Sequence, residues 1–408
     1  MKNYILLSAF LLSTTTIFGQ QNQVESDSTK TQTLEEVLVQ SVRVKPNAPI
    51  THSNLTKAQL QSRNLGQDLP ILLNYLPSVV TTSDAGAGIG YTGIRVRGVS
   101  PLSTNVTING IPFTDAESLG AFWVNMPDFT SSVESLQLQR GVGTSTNGSG
   151  AFGASVNILT DASSYMPTAE VSNSFGSYNT RKHSVKFSTG KINDVFELSG
   201  RLSTINSDGY VDRAFSDLKS YFLQGTYNNN GTLIKALVFG GHEKTYQSWE
   251  GLTKQQLEDD RRQNPYTYEN EIDNYKQDHY QLHWNQKLNQ NWSTNLGLNY
   301  TYGRGYYEQY REDDAVSTYG GIVEATGVDF YGTAVTDLIR RRWLDNDFYV
   351  INATANYKES DLNLIVGGSY SNYDGDHFGE VIWARQFASE TSIRDQYYFG
   401  NGKKTDFS

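Results

Sequence analysis

The sequence predicts a mainly β protein in two parts, a small α/β domain followed by a transmembrane antiparallel β-barrel. Three observations predict it. Glycine (36 residues) and the aromatics (26 Tyr, 18 Phe, 6 Trp) are plentiful, proline (9) is scarce and charged residues are only 19%, which suits strands with one wet face. From residue 168 onward apolar and polar residues alternate with period two, as in strands that face lipid on one side and a lumen on the other. Beyond the N-terminal leader no stretch approaches the ~20 apolar residues a spanning helix needs, so any passage through a bilayer is by a closed sheet.

Composition also excludes. With no cysteine in the 408 residues there is no disulfide framework, thiolate metal site or cysteine nucleophile. The net charge of −10, from 33 Lys+Arg against 43 Asp+Glu, disfavours a nucleic-acid partner, which requires a basic surplus to neutralise phosphates.

Residues 1–19 read as a secretory signal peptide: Lys2, then the apolar run Tyr4 to Leu12, then Ser/Thr-rich sequence and Phe18-Gly19, with cleavage expected after Gly19. Residues 20–45 form a polar, aperiodic arm that ends in the β-branched run Leu34-Glu35-Glu36-Val37-Leu38-Val39 and on to Val44. On a disordered leash such a run suits addition as a strand to a partner's sheet edge; it equally suits the first strand of the next domain.

Residues 46–162 have mixed α/β signals. Thr56-Lys57-Ala58-Gln59 is a capping box, and a Leu-rich helix is expected from Gln67 to Tyr75, stopped by Pro77. Strands are expected at Gly93–Arg97, Asn105–Asn109 and Val133–Arg140, with Asn109-Gly110 as the tight hairpin turn whose two central residues take positive φ. Gly148-Ser149-Gly150-Ala151-Phe152-Gly153 matches a dinucleotide fingerprint in letters only. It runs into the strand-like Ser155–Leu159 rather than opening a helix, so no nucleotide site is expected.

The order of arm, helix pair, Ile94-Arg95-Val96-Arg97-Gly98, Val106-Thr107-Ile108-Asn109-Gly110, Val133 to Gly141 and Gly150 to Ile158 resembles the plug domain of TonB-dependent outer-membrane receptors. Val142 and Phe152 depart from that pattern, where Pro and Tyr are common. The resemblance implies that Leu34, Glu35, Glu36, Val37, Leu38 and Val39 are the TonB box, captured by TonB and its inner-membrane energising complex. It also implies a 22-stranded barrel in the bacterial outer membrane, in contact with outer-membrane lipid. Tyr91, Phe122 and Trp123, beside Gly-rich or turn segments, are then candidates for a ligand-binding apex, with plug core as the alternative for Phe122 and Trp123. Arg95, Arg97 and Arg140 are candidates for plug–barrel contacts, with solvated strand positions as the alternative.

In residues 163–408, Phe196–Leu202, Tyr280–Trp284, Trp292–Tyr302, Tyr349–Tyr357 and Leu362–Tyr370 alternate with aromatics near the strand ends. Short links near 190–193, 228–231, 289–291 and 359–360 alternate with longer ones at 206–216, 244–274 and 305–345. Only nine or ten strands are expected, and the C-terminal Thr405-Asp406-Phe407-Ser408 lacks the usual closing aromatic, so the sequence reads as a truncated chain or a fragment.

No catalytic constellation is legible, and neither an enzyme nor a cofactor is expected. His279 and His283 would lie ~13 Å apart along one strand, too far to share a metal, and read as lumen-facing. Glu258–Asp260, Glu312–Asp314, Arg261-Arg262 and Arg340–Arg342 read as charges in outer loops. The expected function is energy-coupled import of a scarce, bulky small-molecule or metal-chelate ligand, most plausibly a ferric siderophore. The alternatives are a passive porin or surface adhesin with a vestigial plug, and import of cobalamin or another cargo.

Overall fold

The computed structural model describes residues 43–44, 49–142, 152–389 and 391–408. The leader, the segment Leu34–Val39 and the Gly148–Ala151 part of the glycine motif lie outside the described residues.

The Thr56 hydroxyl accepts from the Gln59 amide while the Gln59 carbonyl side chain accepts from the Thr56 amide, so the capping box opens a helix as read. That helix, α1 (Lys57–Gln61), follows β1 (His52–Thr56). The second helix is shorter than its leucines suggest. Only Leu69–Leu72 (α2) is helical, because the amides of Leu73, Asn74 and Leu76 bond three residues back and tighten the chain into turns.

β2 (Val79–Ser83) and β3 (Thr92–Val96) form a separate ribbon. β4 (Thr104–Ile108) and β5 (Ile111–Pro112) are joined by Asn109 and Gly110, at φ 53° and 81°, as the hairpin dipeptide requires. With β6 (Val133–Arg140) and β7 (Ala154–Thr160) they complete a sheet in the order β1-β6-β7-β4-β5, whose β4–β7 pair is parallel.

A second sheet runs in chain order through β8 (Thr168–Phe175), β9 (Arg181–Ser188), β10 (Phe196–Ser207), β11 (Ser216–Asn229), β12 (Thr232–Tyr246), β13 (Ile272–Lys287) and β14 (Trp292–Ala315). It continues through β16 (Ala334–Glu359), β17 (Leu362–Ala384) and β18 (Gln396–Phe407), all antiparallel, with the short β15 (Gly327–Val328) beside β16. Turns at 230–231, 288–291 and 360–361 mark the periplasmic edge. Connections at 247–271, which carry α3 (Lys254–Asp259), and at 316–333 mark the outer one.

The alternation places side chains as read. On β13, His279, Gln281 and His283 are buried toward the lumen, while Tyr280, Leu282 and Trp284 are exposed on the other face. Outward Trp292 meets Tyr357 at 5.1 Å with tilted rings at one level, and Tyr300 stacks between Tyr280 and Tyr349 at another. From Trp292 to the outward Tyr302 is ~33 Å along β14, and at a tilt of ~40° about 25 Å along the normal, the height of an apolar membrane band.

One expectation is corrected. The segment 305–345 is not one long loop, since β14 runs on to Ala315 and β16 begins at Ala334. Glu312–Asp314 and Arg340–Arg342 therefore lie in strands. The reason is cross-strand pairing: Arg341 Nε meets Glu308 at 2.8 Å and Arg340 donates to Gln309 at 3.0 Å, so these charges are satisfied by the ladder above the membrane.

The core joins the two sheets. Leu136, Leu138, Val156 and Ile158 of the first pack around Phe129, whose ring lies 5.2 Å from Phe239 and 6.3 Å from Phe222 on the barrel wall.

Candidate functional site

Two loops of the small domain reach the outer end of the wall. Residues 84–91 are held there by the Tyr210 amide bonded to the Ala85 carbonyl, and 113–122 by Lys404 Nζ, which donates to the Ala116 carbonyl at 2.6 Å. Gly90 adopts φ 91° where a Cβ would approach the Ser216 hydroxyl at 2.9 Å, so this turn requires glycine to lie so close to β11.

Between these loops and the wall lies a cavity of about 290 Å³. Tyr91, Phe113 and Phe122 line it from the small domain, and Tyr275, Tyr306, Tyr307 and Tyr373 from β13, β14 and β17. Acidic groups share it: Asp115 and Glu117 from the loop, Glu243 and Asp273 from the wall. Glu117 accepts from the Tyr373 hydroxyl at 3.1 Å and meets His377 Nε2 at 2.7 Å, tying the apex loop to β17.

Tyr91 donates its phenol proton to Asp273, and its ring meets Trp249 edge-on at 5.3 Å. Burial, then the neighbouring charges of Asp273 and Glu243, drive that phenol well above its ordinary value, so it acts only as a neutral donor. The arrangement can grip a ligand through ring faces and hydroxyls. No group of three or more His, Asp or Glu side chains capable of holding a metal occurs among the described residues.

The three sequence-derived apex aromatics separate. Tyr91 and Phe122 line the cavity, Phe122 with 40% of its surface exposed, whereas Trp123 is 4% exposed and packs with Phe113 at 6.1 Å in the core. Arg95 and Arg97 are exposed on β3 and the turn after it. Arg140 is buried, but its Nε donates to the Pro77 carbonyl at 2.9 Å and its Nη2 to Ser53 at 2.8 Å, both inside the small domain. This follows from β6 lying between β1 and β7 rather than against the wall.

The ion pairs that do cross to the wall have the opposite polarity. Asp128, at φ 54° beside a short 3₁₀ turn, takes Lys182 at 2.5 Å and Arg201 at 3.0 Å, with Ser203 donating at 2.7 Å. Asp161 takes Lys186 of β9 at 2.5 Å and Lys57 of its own domain at 2.6 Å. Sequence reading missed these residues and the wall side of the cavity. Alternation marks Asp273 and Tyr275 as inward, but which inward residues meet the apex depends on contacts between residues some 180 apart, such as the 182 from Tyr91 to Asp273.

Residues 45–155 match the model of the TonB-dependent receptor plug domain. Over 224 residues the chain is 25% identical to a probable TonB-dependent siderophore receptor, PirA, of Acinetobacter baumannii, an alignment covering 52% of this chain and 28% of that protein. Its fold is that of the ferripyoverdine receptor of the Pseudomonas aeruginosa outer membrane (TM-score 0.63, 10% identity, 89% of this chain, 49% of that one). It is also that of the copper transporter OprC (TM-score 0.63, 12% identity, 87% and 51%). The chain thus spans about half the length of these solved structures: residues 45–155 are similar to the TonB-dependent receptor plug domain, and the whole has the fold of such a plug with part of its barrel.

Proposed function

We propose that this chain provides the plug and leading barrel strands of an energy-coupled outer-membrane importer for a scarce, bulky nutrient of the ferric-siderophore kind. The cavity carries the reading. It is built jointly by plug loops and barrel wall, and offers the tyrosine and phenylalanine faces that large chelates with aromatic or apolar groups require. The name of the A. baumannii relative supports an iron chelate, while the copper transporter shows that one fold serves different cargoes.

Coupling has a physical route. Leu34–Val39 precede Arg43 and Val44, which are fastened to the plug sheet: Arg43 donates to the Ser135 and Asn157 carbonyls at 2.8 Å, and the Val44 amide to Gln137 at 2.9 Å. TonB pulling on that segment loads β6 and β7 through these bonds and β1 through the chain itself. The testing substitution is Val37→Pro, which removes a backbone donor from the strand that TonB would pair with. Uptake of radiolabelled ferric chelate is expected to fail while binding to whole cells persists. Uptake at the unmodified rate would instead mark a passive pore.

A further inference from the structure

The cavity between the plug loops and the wall is acidic as well as aromatic. Asp115 and Glu117 line it from the plug and Glu243 and Asp273 from the wall, and among the described residues no lysine or arginine does. His377 is the lining residue able to carry positive charge, and Glu117 already takes it at 2.7 Å. Arg342 lies 5.5 Å from the Tyr307 ring, but it is not a lining residue and donates to the Tyr398 hydroxyl at 3.2 Å.

The two wall carboxyls are therefore buried with neutral donors only. Asp273 accepts from the Tyr91 phenol and Glu243 from the Thr245 hydroxyl at 3.3 Å, and they are 8 and 1% exposed. Register puts Asp278 and Gly240 level with Tyr302 at the top of the apolar band, and Asp273 and Glu243 lie beyond them, outside it. Burial, then the Asp273 charge, pushes the Glu243 carboxyl well above its ordinary range, and burial raises Asp273 as well. Carboxyls in that state keep protons for want of a cation, and a cation entering the cavity takes the place of such a proton.

Asn125 points the same way. It lines the cavity at 8% exposure, and its Oδ1 has no hydrogen-bond partner. A buried acceptor left open inside the fold is suited to a donor that arrives from outside it. Tyr91, Phe122, Tyr275, Tyr306 and Tyr307 add rings whose faces attract a cation. A bare metal ion does not fit, since no three His, Asp or Glu side chains among the described residues could hold one. An ammonium does, because it brings positive charge and N–H donors to carboxylates, amide oxygen and rings together.

We propose that this cavity selects a protonated amine on the ligand, held by Asp273, Glu243 and Asn125 Oδ1, and rejects anionic groups. This selectivity rests on the cavity being the ligand site. At about 290 Å³ it is at the small end of small-molecule sites, so it takes one amine-bearing arm of a bulky chelate.

The test titrates the purified full-length receptor with three probes of similar shape, phenethylamine as its ammonium, 2-phenylethanol and 3-phenylpropionate, followed by ligand-observed NMR. The ammonium is expected to bind at least about tenfold tighter than the alcohol, as a charge-assisted hydrogen bond in place of a neutral one allows, and the carboxylate more weakly than either. Asp273→Asn removes the charge and keeps an acceptor for the Tyr91 phenol. It and Glu243→Gln are each expected to weaken the ammonium about tenfold and to leave the alcohol unchanged. Should a variant lose the alcohol too, its cavity is damaged, and the three probes on the unmodified receptor decide alone. Equal affinity for ammonium and alcohol, tighter binding of the carboxylate, binding of no probe, or an ammonium affinity untouched by both substitutions each overturns the proposal. None of these measurements needs TonB or transport, so a failed amine preference leaves the importer to the Val37→Pro uptake experiment, and a passive pore would not remove the preference.

Discussion

Phe122 and Trp123 are neighbours in opposite surroundings, and sequence left both open because an aromatic beside a turn looks alike in a core and at a cavity wall. Burial separates them: 40% exposed against 4%. Phe122→Ala is therefore expected to weaken chelate binding about tenfold, ~1.4 kcal/mol, with an unchanged melting temperature. Trp123→Ala empties a core position at a cost of about 3–5 kcal/mol, visible as a lowered melting temperature by circular dichroism. Two buried plug aspartates diverge in the same way. Burial pushes the Asp68 carboxyl from 3.8 up to about 8, against the opposing hydrogen bonds from Thr92 and the Gly90 amide. Its folded form therefore holds a proton that the unfolded form has lost, and the stability this gives is full below about pH 4 and is lost as pH rises through about 8. Asp68→Asn is expected to flatten the pH dependence of the melting temperature between pH 5 and 9; a slope equal to that of the unmodified receptor would refute the assignment. At Asp128 burial also pushes upward, but Arg201 and Lys182 outweigh it and hold the carboxyl at about 2. That contribution is present above about pH 4 and is lost only as pH falls through 2, so this anchor holds throughout the neutral range.

At the scale of elements, local signals were legible and pairing was not. The Thr56 capping box, the Asn109-Gly110 turn and the inward–outward order of β13 and β14 follow from a few adjacent residues. The parallel β4–β7 pair, the β2–β3 ribbon and the extension of β14 and β16 depend on partners far along the chain, which periodicity does not specify. The plug-to-wall approach is of this second kind. Gly241 faces inward on β12, and a Cβ there would meet Pro127 Cδ at 2.6 Å as well as the Asn125 carbonyl. Neither neighbour is a flexible chain end, so Gly241→Ala is expected to lift the 123–132 turns from the wall. The barrel would still form, and the loosened plug would raise cell-surface permeability to a large hydrophilic antibiotic and speed proteolysis of the plug. Permeability equal to that of the unmodified receptor would mean that β12 yields instead.

For the molecule as a whole, the question is which part of the plug moves under load. The wall anchors, Asp128 with Lys182 and Arg201 and Asp161 with Lys186, sit far along the chain from the arm. Breaking either leaves buried charge unpaired, a cost of about 3–5 kcal/mol. A pull on residues 34–39 arrives first at Val44 and β1, an edge strand held in the sheet by β6 alone. An edge strand peeled from one end gives up its hydrogen bonds in sequence, so β1 should leave while the anchored remainder stays against the wall. The absence of cysteine from the sequence permits a clean test. Asn54 and Gln137 are register partners whose side chains already meet at 2.8 Å, so Asn54→Cys with Gln137→Cys can close a disulfide across β1 and β6. The oxidised receptor is expected to bind ferric chelate at its outer face with unchanged affinity and to transport none, and a reductant should restore uptake. Transport by the oxidised form at the unmodified rate would mean that the plug moves as one body, with the anchors rather than β1 giving way.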